Sequence, residues 1–85
     1  MSYRLALEKH FLKQLESLDE DLQQRILREI EALLENPKKQ GVIQLTGLEE
    51  FRARVGDYRI VFLIDLQARI ITLVKVGHRS VVYGR

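Results

Sequence analysis

Cysteine is absent from these 85 residues, which rules out a disulfide framework and a thiolate metal site and fits a reducing compartment. Histidine occurs only at His10 and His78, far apart in sequence and outside any ligand spacing such as HExxH, so neither a metal nor another cofactor is expected. No apolar run approaches the ~20 residues of a membrane span, and the opening residues MSYRLALEKHF lack the apolar stretch of a signal peptide. A cytoplasmic protein with no membrane partner is the expectation. Charge of one sign is also scarce: 14 Lys and Arg stand against 12 Asp and Glu, a formal net charge of +2. Such a weak excess does not by itself nominate a nucleic-acid binder. The placement of the cations matters more than their sum.

With 46% hydrophobic and 31% charged residues the chain lies in the ordinary globular class. A chain of this size buries about 60–65% of its unfolded surface, leaving room for one core, so residues 1–85 are read as one domain. Residues 3–7 alternate as a first strand would. Phe11, Leu12, Leu15 and Leu18 repeat at helical spacing over residues 9–18, and Leu22, Ile26, Leu27, Ile30, Leu33 and Leu34 form a second stripe. Asp19 is placed to cap the second helix, acids fill its first turn, and Asn36-Pro37 ends it. After Gly41 the period changes to two, over residues 42–45, 51–55, 58–65 and 70–76, with short connections that imply antiparallel hairpins. The expected fold class is α+β: a strand, a helical hairpin, then an antiparallel sheet of three to four strands with the helices packed on one face.

If Gly56 and Asp57 make a two-residue turn, Val55 faces Tyr58, Arg54 faces Arg59, and Ala53 faces Ile60. A three-residue loop of Leu66, Gln67 and Ala68 then pairs Asp65 with Arg69, Ile64 with Ile70 and Phe62 with Thr72, and sets Lys75 opposite Arg59. One face collects Arg52, Arg54, Arg59 and Lys75. The other carries Phe51, Ala53, Val55, Tyr58, Ile60, Phe62, Ile64, Ile70, Val74 and Val76 for the helices to cover. Like charges directly across a ladder cost up to about 1 kcal/mol. Such a cluster makes sense if a polyphosphate chain supplies the anions. The alternative is that long cationic side chains solubilise an exposed sheet face and lean over Val61 and Leu73.

The run Phe51-Arg-Ala-Arg-Val-Gly-Asp-Tyr-Arg-Ile-Val-Phe62, followed by Val76-Gly-His-Arg-Ser-Val-Val-Tyr83, resembles the signature of the RelE/ParE toxin superfamily, and of RelE-like mRNA interferases in particular. The likeness covers nearly the whole chain, including Leu45-Thr-Gly-Leu48 after the helices. It implies a microbial-ribonuclease-like fold, a type II toxin–antitoxin system with a RelB-like antitoxin that is also a DNA-binding repressor, and metal-independent cleavage of mRNA in the ribosomal A site. Carried over by motif, the basic pair of the first long hairpin strand falls on Arg52 and Arg54. The arginine after the turn tyrosine falls on Arg59, the one after Val-Gly-His on Arg79, and the terminal tyrosine on Tyr83.

RNA cleavage through the ribose 2′-hydroxyl needs a base, stabilisation of a phosphorane, and protonation of the departing 5′-oxygen. Arginine's fixed charge and bidentate fork suit Arg54 and Arg59 to hold the phosphate and Arg79 to steady the leaving oxygen, with Tyr83 as the base, while Arg52, Lys75 and His78 are read as RNA-binding. Arginine at 52 and 54, where relatives can carry lysine, keeps the charge but removes a proton donor. His78, whose residue type has a reference pKa near 6.5, would suit acid or base work, or serve only as a polar strand-end residue. Tyr58 alternates with Ile60 and Phe62 and is read as core, and His10 as structural or surface. Two other readings stand beside the mRNA interferase: a ParE-like inhibitor of DNA gyrase, which shares the resemblance, and, from a different class, a non-catalytic module whose basic face docks on ribosomal RNA or an acidic partner and blocks translation without cutting.

Overall fold

The computed structural model describes residues 2–45 and 49–82. Asp19, in extended conformation, accepts a hydrogen bond from Leu22 N–H at 2.9 Å and caps α2 (Glu20–Glu35), with Glu20 and Asp21 at its positive end. Asn36 departs from helical geometry and Pro37 follows, so α2 stops where expected. The helix before it, α1 (Lys9–Glu16), is shorter than its apolar stripe suggests. The amides of Ser17 and Leu18 tighten its last turn, and the Ser17 hydroxyl donates to Gln14 O at 2.7 Å, turning the chain toward Asp19. Phe11 and Leu15 of α1, and Ile26, Ile30 and Leu33 of α2, point into the core.

The sheet has five strands in the order β1-β5-β4-β3-β2. Four strands after the helices are as expected: β2 (Ile43–Gln44), β3 (Glu50–Val55), β4 (Tyr58–Asp65) and β5 (Ile70–His78), paired antiparallel to one another in succession. The fifth is β1 (Arg4–Leu7), which joins the far edge parallel to β5. Parallel neighbours need a long connection, and here nearly the whole chain separates the two strands.

The β3–β4 hairpin has the expected register: Val55 pairs with Tyr58, Arg54 with Arg59 and Ala53 with Ile60. Gly56 has φ +59° and Asp57 does not have positive φ, the pattern of a type II′ turn, whose first central position favours glycine. The next hairpin departs from expectation. Its loop has four residues, Asp65 pairs with Ile70, and Arg69 sits in the left-handed region at φ +57°. Local and tertiary contacts hold that conformation: Ala68 N–H bonds Asp65 Oδ1 at 2.9 Å, Arg4 N–H bonds Arg69 O at 2.8 Å, and the Arg69 guanidinium lies 4.3 Å from the Tyr3 ring centroid.

That extra residue turns the first half of β5 over. Ile71 and Leu73, both 0% exposed, fill the core in place of the expected Ile70 and Val74, which are half-buried. A bulge then restores the parity. Phe62 pairs with Leu73 but Val61 pairs with Lys75, so Val74 has no partner in the ladder, and Val76 returns to the helix side opposite Ile60. Lys75 therefore stands opposite Val61 and not opposite Arg59. Beyond Leu73 the β5 edge has no β1 partner, and Gln14 of α1 accepts the Val76 amide there at 2.9 Å. Phe51 and Phe62 stack at 5.8 Å between centroids beneath the helices. Among the described residues no helix is long and apolar enough to cross a membrane.

Candidate functional site

The face of the sheet turned away from α1 and α2 can be read row by row from the pairings. One row runs Arg52, Val61, Lys75 across β3, β4 and β5, and the next runs Arg54, Arg59, Gly77. With strands about 4.8 Å apart, Arg52 and Lys75 flank Val61 at roughly 10 Å, and Arg54 and Arg59 are direct neighbours one row along. The row on the other side is Glu50, Leu63, Thr72, so an acid bounds the cationic area. All four expected cations share the face. The bulge at Val74 keeps Lys75 among them.

A short helix not foreseen from the sequence, α3 (Arg79–Val82), follows β5 directly. Val82 of α3 packs against the strand beside Gly77, where a Cβ would lie in ordinary contact at 3.5 Å from Val82 Cγ2. Val61 and Val82 are buried at 2% and 7% exposure yet stand apart from the main core, so they form a small apolar patch on the cationic side. Four residues carrying two adjacent valines give no helical period to detect.

Two arginines converge on the Gly56-Asp57-Tyr58 turn. The Arg59 guanidinium, on a residue only 7% exposed, donates from Nη1 to Gly56 O at 3.0 Å and to Tyr58 O at 2.9 Å. The backbone N–H of Arg79 donates to the carbonyl between them, Asp57 O, at 2.8 Å. Three consecutive carbonyls thus hold one arginine by its side chain and the other by its backbone. Arg54 and Arg79 are themselves exposed, and Arg52 and Lys75 half-buried.

His78 lies elsewhere than expected. It pairs with Tyr58, whose side alternates with Ile60, and its ring meets the Tyr58 ring edge-on at 5.5 Å and 84°. That is the helix side of the sheet, opposite the cationic rows. Its Nδ1 accepts from Ser80 N–H at 3.1 Å and lies 2.9 Å from Ser80 Oγ. Because an amide can only donate, Nδ1 is the unprotonated nitrogen and a neutral ring carries its proton on Nε2. His78 is thus built in as a cap on α3. Tyr58 is half-buried at the end of the core face, and His10 is exposed on α1. Tyr83 lies outside the described residues.

A helical hairpin on one face of a five-stranded sheet, with arginines gathered on the other, defines a RelE-like α+β fold. Residues 5–83 match the family model described as the ParE toxin of the type II toxin-antitoxin system parDE. The chain belongs to this RelE/ParE superfamily of toxins. It is similar to a RelE1 protein of Methanocaldococcus jannaschii, 29% identical over 98% of this chain and 97% of that one. It is also similar to the RelE-RelB complex structure from Pyrococcus horikoshii OT3, with a TM-score of 0.80 and 32% identity over 93% of this chain and 97% of that one. The fold matches that of a mutant Escherichia coli toxin RelE in the free state, with a TM-score of 0.82 and 22% identity over 98% of this chain and 92% of that one.

Proposed function

We propose that this toxin is a ribosome-dependent endoribonuclease that cuts mRNA in the A site and so inhibits translation. The observation carrying this reading is the pairing of Arg54 with Arg59 beside a turn that also anchors Arg79. The Arg59 guanidinium is held in one place by two carbonyls, and a cation so held stabilises charge that appears only in the transition state at no cost of reorganisation. In the proposed reaction Tyr83, as the phenolate, takes the 2′-hydroxyl proton, the 2′-oxygen attacks phosphorus to close a 2′,3′-cyclic phosphate, and the P–O5′ bond breaks with the departing 5′-oxygen protonated by water. Arg54 and Arg59 hold the phosphate and Arg79 steadies the leaving oxygen. Arg52 and Lys75, one row away, meet the neighbouring backbone as RNA-binding residues. The relatives from P. horikoshii and M. jannaschii are described in complex with RelB. We extend that to this chain as a cognate RelB-like antitoxin that also represses transcription.

The family model's own description as a ParE toxin favours a second reading, inhibition of DNA gyrase. Primer extension on a defined mRNA, free and on ribosomes paused with an empty A site, separates the two. Cuts inside the A-site codon on ribosomes alone, lost in Tyr83→Phe, support the endoribonuclease. An intact message, with gyrase-dependent DNA breaks in its place, supports the second reading, and translation arrest that survives Tyr83→Phe without cuts would mean a ribosome-binding blocker.

A further inference from the structure

The side chain of His78 does chemistry of a different kind from its neighbours. We infer that His78 is a positioning residue: by capping α3 it fixes Arg79 against the turn that fixes Arg59, and so sets the spacing of the two arginines. The inference rests on the endoribonuclease reading for its kinetic arm only. Its geometry is complete on this chain.

Three contacts hold α3. His78 Nδ1 takes the Ser80 amide and faces the Ser80 hydroxyl, replacing a partner that the first helical turn lacks. One residue away, the Arg79 amide closes on Asp57 O. At the far end of α3, Val82 packs beside Gly77, within ordinary van der Waals reach of a Cβ placed there. The ring is itself held edge-on by Tyr58, whose carbonyl is one of the two that bind Arg59 Nη1. A four-residue helix is too short to persist alone, so these contacts decide whether Arg79 has a defined place. The ring faces the helix side of the sheet, so a proton-transfer role for His78 would need it to leave both Ser80 and Tyr58. The RNA-contact role expected from sequence would need the same movement.

The test uses the full-length chain as His78→Ala and His78→Asn, since asparagine supplies a capping oxygen without an imidazole. On paused ribosomes His78→Ala should lower the maximal single-turnover rate about tenfold, the size a lost cap corresponds to, with the half-saturating ribosome concentration unchanged. His78→Asn should recover the rate to within about threefold of the original chain. Equal loss in both variants would show that the imidazole itself acts, and an increase in the half-saturating concentration at full maximal rate would show an RNA contact. Either result overturns the inference, as does an unchanged rate in His78→Ala. Hydrogen exchange at the Ser80 amide provides the arm that does not depend on cleavage. Protection should be present in the original chain, lost in His78→Ala and regained in His78→Asn, and protection that persists in His78→Ala sinks the proposal. If the original chain cuts nothing while this exchange pattern holds, the endoribonuclease reading has failed and the cap has not.

Discussion

Replacing Gly56 with alanine should destabilise the protein by about 1–2 kcal/mol, because a side chain held at positive φ brings its Cβ against the neighbouring backbone. Gly56 sits at φ +59°, and an added Cβ would come within 2.7 Å of Arg25 Nη2. These two penalties differ in kind. The Arg25 contact is with the end of a flexible, exposed side chain that can swing away, whereas the backbone strain cannot be relieved without changing the turn. At roughly 4–8 °C per kcal/mol for a chain of this size, the melting midpoint should fall by about 4–16 °C. Gly56→Asn should cost less, since asparagine tolerates positive φ better. Arg25→Ala placed on top of Gly56→Ala should recover little. Thermal unfolding followed by circular dichroism measures all three. Full rescue by Arg25→Ala, or a Gly56→Ala loss below about 0.5 kcal/mol, would refute the attribution to backbone strain.

Phe62 is fully buried and stacked on Phe51, so Phe62→Ala should cost about 3–5 kcal/mol, a large share of the roughly 4–13 kcal/mol that a chain this long can have; chemical denaturation reads it directly. Asp19→Ala removes the cap on Leu22 N–H and should cost about 1 kcal/mol, whereas Asp19→Asn should cost only a few tenths. Lys75→Met should weaken binding to RNA-containing targets and reduce the slope of log affinity against log salt by about one, with codon choice unchanged. A slope identical to that of the unsubstituted chain would remove Lys75 from the RNA path.

The two helices and the first hairpin were legible in the chain because local chemistry specifies them. Asp19 caps the helix that follows it, apolar residues recur at helical spacing, and a Gly56-Asp57 pair fixes one turn and the register on both sides of it. From that hairpin alone, Arg52, Arg54 and Arg59 fall on one face. The motif resemblance likewise pointed to the superfamily that the family match shows.

What only the tertiary structure decided lies past residue 65. Loop length there depends on Arg69 adopting a left-handed conformation, and that is stabilised by Tyr3 and Arg4 from the opposite end of the chain, which no local pattern can register. Because strand side chains alternate, one extra residue exchanged Ile70 and Val74 for Ile71 and Leu73 in the core. The bulge at Val74 exchanged the faces back, so Lys75 reached its expected face opposite a different partner. The parallel pairing of β1, the helix at Arg79–Val82, and the turning of His78 toward Tyr58 belong to the same group. Apart from the local His78–Ser80 cap, these depend on contacts between residues far apart in sequence, and alternation sets the period of a strand but neither its partner nor its offset.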